Sequence, residues 1–250
     1  MQKVLLPVLL VISSLVGCNS HLSGDNAVDK SKAAQARLAL GMAYFSDGDM
    51  RAARSNLERA VSYAPKDYRT QLGMAIYQQS IGENDFAESR FQQALALAPD
   101  NGDVMNNYGV FLCSLGQYES ALAYFDDAVK LQNSEKIADS FENSGYCLLK
   151  AGQFERATET LSRALKQDPQ KGARLLRTAT EYYQRDQRAE AMALLNSYQD
   201  TLPDSAESLW MQIQFAALES RLNDVQRYGQ LLAQDFSQSK QYQLFLAHEY

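Results

Sequence analysis

Histidine is almost absent from this chain. Its 250 residues include two histidines, His21 and His248, one near each end. The sequence also has no His-Glu-x-x-His pair, no Cys-x-x-Cys pair and no glycine-rich phosphate loop, the short motifs that carry metal, redox and nucleotide chemistry. We therefore expect no catalytic residues, no metal site and no cofactor: the chain is predicted not to be an enzyme.

A surplus of positive charge is missing as well. The chain has 24 Lys and Arg residues against 30 Asp and Glu, a net charge of −6. Nucleic-acid binding needs a basic stripe, so no nucleic-acid partner is expected. The carboxylate pairs Asp126–Asp127 and Asp139–Glu142 have the spacing of helix surfaces. A solvated face is the main interpretation of both pairs, and a cation site is the lesser alternative.

No apolar run reaches the roughly 20 residues that a membrane-spanning helix needs. The nearest candidate, residues 4–16, follows Lys3 and leads into Leu15-Val16-Gly17-Cys18, as in a cleaved signal peptide. These last four residues resemble the bacterial lipobox. Residues 1–18 are therefore predicted to be a lipoprotein signal peptide, with Cys18 as the acylated, palmitate-bearing N-terminus. A chance cysteine beside an ordinary cleavage site is the alternative.

The residues that follow Cys18 bear on location and flexibility. Asn19 stands where an aspartate would resemble an inner-membrane retention signal, which favours a lipid anchor in the outer membrane, facing the periplasm. Residues 19–33 are rich in Ser, Asn, Asp and Gly, a composition typical of flexible linkers. We predict that they form a flexible tether.

A repeat occupies the rest of the chain. Pro65 and Pro99 are 34 residues apart, and so are Pro169 and Pro203. The first unit, counted from residue 34, carries small, aromatic and leucine residues at fixed offsets, namely Gly41, Tyr44, Gly48, Ala53, Leu57, Ala60 and Pro65. A fixed 34-residue period with these residue types is the sequence signature of the tetratricopeptide repeat, a pair of antiparallel helices called A and B.

Six units fit this period, so we predict an all-α, right-handed superhelical solenoid of about six tetratricopeptide helix pairs. The sixth unit is degenerate, with Val225 in place of the usual alanine, and Lys136 with Ile137 forms an insertion that is predicted to lie in a turn. Residues 240–250 are predicted to be a C-terminal capping helix. The units span residues 34–67, 68–101, 102–135, 138–171, 172–205 and 206–239.

The binding surface follows from the repeat positions. In such arrays helix A lines a groove, mainly through positions 2, 5, 9, 12 and 13 of each unit. Units one and two place an apolar strip and one arginine there, which we predict to be the partner-binding groove: Leu38, Met42, Phe45, Arg69, Leu72 and Ile76. Packing of these apolar side chains against the neighbouring helix is the alternative.

The other units place a different chemistry on the same face. Units three and four are predicted to be more acidic and polar, through Asp103, Asn106, Val110, Asp139, Glu142 and Tyr146. Units five and six contribute Leu176, Tyr183 and Trp210.

Two cysteines, Cys113 and Cys147, lie 34 residues apart in the A helices of units three and four. Consecutive A helices lie side by side, and an oxidising compartment lets a disulfide persist. Bridging requires Cα atoms about 4.4–6.8 Å apart. A disulfide is therefore possible, and two buried, unbridged thiols are the alternative.

A lipobox, a tether and six tetratricopeptide units together resemble the type IV pilus pilotin family (PilF/PilW). Residues 106–113 (NNYGVFLC) and 142–147 (ENSGYC) are similar to the third and fourth units of that family, both cysteines included. The resemblance covers essentially the whole chain, and the weak sixth unit departs from it.

The resemblance implies a function. Members of this family are outer-membrane lipoproteins that help the type IV pilus secretin to reach the outer membrane and to form multimers, and some act in pilus stability instead. The expected partner is then a secretin subunit. The alternative is a periplasmic scaffold lipoprotein that recruits cell-wall hydrolases or other envelope proteins.

Overall fold

The computed structural model describes residues 23–131 and 134–250. In these two segments the chain forms thirteen α-helices and one 3₁₀ turn, Pro169–Lys171, and no strand. The helices are α1 (Ser23–Ser46), α2 (Met50–Tyr63), α3 (Tyr68–Ser80), α4 (Asn84–Leu97), α5 (Gly102–Ser114), α6 (Tyr118–Leu131), α7 (Ser134–Lys150), α8 (Phe154–Gln167), α9 (Gly172–Gln184), α10 (Arg188–Gln199), α11 (Ala206–Leu218), α12 (Leu222–Asp235) and α13 (Lys240–Leu246).

The helices pair as the repeat predicts. Helices α1 to α12 form six A–B pairs, and α3, α5, α9 and α11 begin at the first residues of the predicted units two, three, five and six. Within a pair the two helices cross closely because one of them carries a small residue. A methyl group added at Gly145 of α7 would lie 2.5 Å from the Leu161 side chain of α8. The alanines at position 20 of the first five units, such as Ala53 and Ala157, are fully buried for the same reason.

The turn inside each pair needs a left-handed residue. Gly48, Gly82, Gly116 and Gly152 have φ between 72° and 80° at this position in units one to four. Units five and six lack the glycine, and Asp186 and Ser220 adopt φ of 59° and 58° instead. A left-handed conformation strains a residue that has a Cβ, so these two units keep the turn at an energetic cost.

Two predictions on element boundaries are corrected. A flexible tether was predicted over residues 19–33, and from Ser23 onward this is wrong because α1 begins there. Extending an existing helix is far easier than nucleating a new one, so the unit-one helix continues toward the N-terminus. The insertion of Lys136 and Ile137 lies inside α7, not in a turn.

The stacking of pairs changes once along the array. In units one to three, each B helix packs on the A helix of the next unit. At the junction of units four and five, α8 packs along α10 instead. Small polar side chains make this close approach: Thr158 Oγ1 donates to the Ala193 carbonyl at 3.2 Å, and Ser197 Oγ donates to the Thr158 carbonyl at 3.2 Å.

The C-terminal helix covers the last pair. Unit six has Gly229 where the other units have a leucine or phenylalanine, and the Phe245 ring of α13 packs on this glycine. The middle of α12 is thereby covered by a side chain from outside the repeat. Such atypical end elements are expected in repeat arrays, whose terminal faces would otherwise be exposed.

Candidate partner-binding groove

The A-helix face, defined here as the surface formed by α1, α3, α5, α7, α9 and α11, is where the sequence predicts partner binding. In its first two units the predicted strip is half-buried. Leu38 and Met42 lie over Gly73 of α3, where an added methyl group would meet the Leu38 side chain at 2.5 Å. Phe45 contacts the Tyr77 ring edge to face, with centroids 6.3 Å apart. These three side chains thus pack α1 against α3, and part of each stays accessible.

The remaining predicted residues of the strip are on α3. Leu72 and Ile76 are half-buried and pack against the central hydrophobic core. Arg69 is exposed, and its guanidinium forms a two-armed ion pair with Asp67, the N-cap of the same helix, at 2.6 and 2.9 Å. The hydrogen bonds from Arg69 lower the pKa of Asp67. Arg69 therefore lies at the end of the strip with its charge already compensated.

The predicted acidic region of units three and four is largely neutralised. Asp103 pairs with Lys136 across α5 and α7, and Asp139 pairs with Lys171. These carboxylates, which the sequence suggested would make the surface acidic, instead join one unit to the next. The corrected description of this region is a ladder of ion pairs.

Glu142 is the buried member of this ladder. Its side chain is 7% exposed and accepts from Lys171 Nζ at 2.9 Å and from Arg174. Burial by itself lowers the pKa of Lys171, but its hydrogen bonds to Asp139 and Glu142 outweigh this effect, and the pKa is raised. The 3₁₀ turn that carries Lys171 is thereby tied to α7.

An amide network crosses the same interface. Asn106 Oδ1 on α5 accepts from Ser140 Oγ and from Asn143 Nδ2 on α7, both at 3.1 Å. These contacts fix the orientation of the Asn143 amide on the A-helix face.

A disulfide joins the two helices. Cys113 of α5 and Cys147 of α7 are bonded, with Cα atoms 5.9 Å apart. Of the two possibilities that the sequence left open, the structure has the bridged form. Both cysteines are almost fully buried.

Beside the disulfide lies a pocket that sequence reasoning missed. Its volume is about 150 Å³, and α5, α6 and α7 supply its lining: Val110, Cys113, Phe125, Asn143, Tyr146, Cys147 and Lys150. Val110 and Tyr146 both occupy position 9 of their units, a position that faces the groove. Two apolar residues at that position next to two cysteines were the signal available in the sequence.

The last two units contribute aromatic residues that are partly used in packing. Tyr183 contacts Phe215 edge to face, with centroids 5.2 Å apart, and burial raises the pKa of its hydroxyl. Trp210 is half-buried against the core of unit six, whereas Leu176 is 4% exposed and belongs to the central core. Leu176 is therefore a core residue, not a surface one.

Three further predictions concern anchoring and ions. Cys18 lies outside the described residues. Within residues 23–131 and 134–250, no helix combines the length and hydropathy needed to cross a bilayer. The same residues hold no group of three or more His, Cys, Asp or Glu side chains placed to bind a metal ion. Asp127, one of the carboxylates considered for a cation site, pairs with Lys130 at 2.8 Å.

Four tetratricopeptide-repeat family models match the chain, over residues 34–67, 70–105, 101–170 and 148–211. In its described residues the chain is therefore an all-helical array of tetratricopeptide repeats. None of the curated proteins compared with it matches its sequence.

Two solved structures are similar over most of the chain. PilF of Pseudomonas aeruginosa is 25% identical, with 88% of this chain and 99% of that chain covered and a TM-score of 0.59. PilW, described as a widely conserved type IV pilus biogenesis factor, is 29% identical, with 85% and 98% covered and a TM-score of 0.59. The O-GlcNAc transferase of Thermobaculum terrenum matches at 17% identity over 54% of this chain and 26% of that chain, with a TM-score of 0.50, which shows a shared fold alone.

Proposed function

We propose that this tetratricopeptide-repeat protein, which is similar to type IV pilus biogenesis factors, is an outer-membrane lipoprotein. It binds the type IV pilus secretin through its A-helix face. Its role is to promote secretin localisation and multimerisation in the outer membrane. The observation that carries this proposal is the similarity to PilF and PilW, which extends over at least 85% of this chain and nearly all of theirs.

The proposed anchor is the acylated Cys18. Each buried methylene of an acyl chain contributes roughly 0.8 kcal/mol, and two or more chains hold a protein stably at a membrane. In the sequence, Ser23, the first residue of α1, is five residues after Cys18. The eleven residues of α1 that precede unit one span about 16 Å, which holds the array near the membrane surface.

The proposed binding surface has a physical purpose. A secretin subunit that has not yet oligomerised presents unpaired strand edges, which promote aggregation. The half-buried side chains of Leu38, Met42 and Phe45 offer apolar contact area on this face. Apolar anchors of this kind usually supply most of the energy of an interface. Holding one secretin segment in this groove both shields the subunit and brings it to the target membrane.

The test is a deletion strain complemented with wild-type protein or with Cys18→Ala. Secretin multimers are quantified on immunoblots of unboiled membranes, and twitching motility is scored in parallel. We expect the deletion to lose multimers and motility, wild type to restore both, and Cys18→Ala to restore neither fully. Normal multimers and motility in the deletion strain would refute the proposal. In that case a pull-down from detergent-solubilised membranes that recovers cell-wall hydrolases instead of secretin would favour the scaffold alternative.

A further inference from the structure

The pocket beside the disulfide combines an apolar floor with a polar rim. Phe125 is 1% exposed and Cys147 is equally buried, whereas Lys150 is exposed and Asn143 half-exposed. An apolar group that enters the pocket is thereby flanked by an amide and an ammonium group.

The size of the pocket matches a single side chain. Its volume is about 150 Å³, and apolar cavities of about this volume hold a benzene-sized molecule. Val110 of α5 and Tyr146 of α7 both line the pocket, and the disulfide holds these two helices together. The pocket is therefore preformed, which lowers the entropic cost of binding.

Asn143 is oriented to accept a hydrogen bond from a bound chain. Its Nδ2 donates to Asn106 Oδ1 at 3.1 Å, so its own Oδ1 is left as an acceptor at the rim. A peptide amide is the donor that an extended segment offers there.

Lys150 supplies the positive charge of the rim. Lys136 and Lys171, on the same face, are engaged by Asp103, Asp139 and Glu142. In the described part of the chain, no carboxylate pairs with Lys150. Its ammonium group is free to meet a carboxylate of a partner.

We propose that this pocket binds an extended partner segment in which a large apolar residue neighbours an acidic residue. The apolar side chain fills the pocket, Asn143 Oδ1 accepts a backbone N–H, and Lys150 pairs with the carboxylate. The proposal deepens the proposed function, because it names the chemistry of the secretin segment, and it can be tested without the secretin.

The test is an NMR titration of the full chain, with its disulfide intact, using capped dipeptides as probes. N-acetyl-Leu-Asp-methylamide should shift the backbone amide signals of Val110, Asn143, Tyr146 and Lys150. We expect Lys150→Gln to weaken this probe about 3- to 10-fold, the effect of an exposed to half-desolvated ion pair. Lys166→Gln is the matched control, since Lys166 is an exposed lysine in the last turn of the neighbouring helix α8, and it should leave the dissociation constant unchanged.

A charge swap gives the sharpest outcome. With Lys150→Glu, N-acetyl-Leu-Lys-methylamide should bind more tightly than the Leu-Asp probe, which reverses the wild-type order. A third probe, N-acetyl-Gly-Asp-methylamide, should bind wild type more weakly than the Leu-Asp probe, because glycine has no side chain to cover the apolar floor. Equal dissociation constants for the Leu-Asp, Leu-Asn and Gly-Asp probes, or shifts scattered over the surface, would overturn the proposal.

The pocket proposal and the proposed secretin function can fail independently of each other. If the probes behave as expected while secretin multimers are normal in the deletion strain, the pocket chemistry stands and the proposed partner falls. If the multimers depend on the protein while the probes show no charge dependence, the pocket proposal alone is refuted.

Discussion

Units one and two and units three and four use the same repeat positions to join their A helices, but with opposite chemistry. Between α1 and α3 the contact is apolar: Leu38 and Met42 pack over Gly73, and Phe45 packs on Tyr77. Between α5 and α7 it is a disulfide, an ion pair and an amide network.

The difference corresponds to two requirements of a binding array, a fixed helix spacing and a surface that a partner can contact. Apolar packing is non-directional and leaves side chains that a partner can contact, whereas bonds with fixed geometry hold two helices at one spacing. We infer that the central units hold their A helices at the fixed spacing on which the pocket depends, and that the first two units offer a partner an adaptable apolar surface.

Removing the disulfide should produce the largest effect. The bond closes a segment of 34 residues, which corresponds to about 3–4 kcal/mol in the chain-entropy account. Replacing both cysteines by alanine should lower the melting temperature by about 10 °C, as measured by circular dichroism. Reductant should lower the melting temperature of wild type and leave the double variant unchanged. Insensitivity of wild type to reductant would show that the bridge does not hold the central units together.

Glu142→Gln should have the next largest effect. It leaves the ammonium group of Lys171, 10% exposed, without its buried partner, and breaking a buried pair on one side costs about 3 kcal/mol. Asp127→Asn is the control, because its pair with Lys130 is exposed on both sides and should contribute less than about 1 kcal/mol. Both are measured by urea denaturation. Similar losses in the two variants would mean that the ladder is a surface feature and not a structural one.

Phe45→Ala tests the function of the apolar interface. We expect this substitution to lower the free energy of unfolding by about 2 kcal/mol, half of what truncating a core phenylalanine costs, because the ring is half-buried on Tyr77. If the ring is also a partner anchor, secretin multimers should fall more in this variant than in an equally destabilised core variant such as Leu57→Ala, whose side chain is fully buried. Equal multimer levels at matched stability would move the binding surface away from units one and two.

The smallest effects are expected from substitutions at the helix N-caps, which differ in charge between the two regions. Asp67 caps α3 and pairs with Arg69, whereas the uncharged Asn101 caps α5 through Val104 N–H at 3.1 Å. Each cap changed to alanine should cost about 1 kcal/mol at pH 7. The pKa of Asp67 is lowered on folding, so its charge contributes stability above the unfolded value of about 3.9, and this is lost as the pH falls through the folded value.

The two caps should therefore differ in acid. The difference between wild type and Asp67→Ala should shrink when urea denaturation is repeated below pH 3, and the difference for Asn101→Ala should stay constant. A cap effect at Asp67 that is independent of pH would show that its pairing with Arg69 contributes nothing.

The sequence by itself determined the helical repeat and its residue roles. A period of 34 residues, small residues at positions 8 and 20 and a turn glycine at position 15 depend on contacts inside one helix pair, which local spacing encodes. Gly145 against Leu161 and Gly152 at positive φ are direct consequences. The sequence also makes the two cysteines candidates for a bridge, because consecutive A helices lie side by side in any such array.

Only the tertiary structure decided which of the predicted surface groups are free. Glu142 and Asp139 are acidic in sequence but neutralised by Lys171, a residue of the next turn, and Leu38 and Met42 are apolar in sequence but partly covered by Gly73. The pocket at Val110 and Tyr146 and the side-by-side packing of α8 with α10 were not predicted either. Each depends on the distance and angle between units, which side chains far apart in the chain set jointly and no single 34-residue repeat encodes.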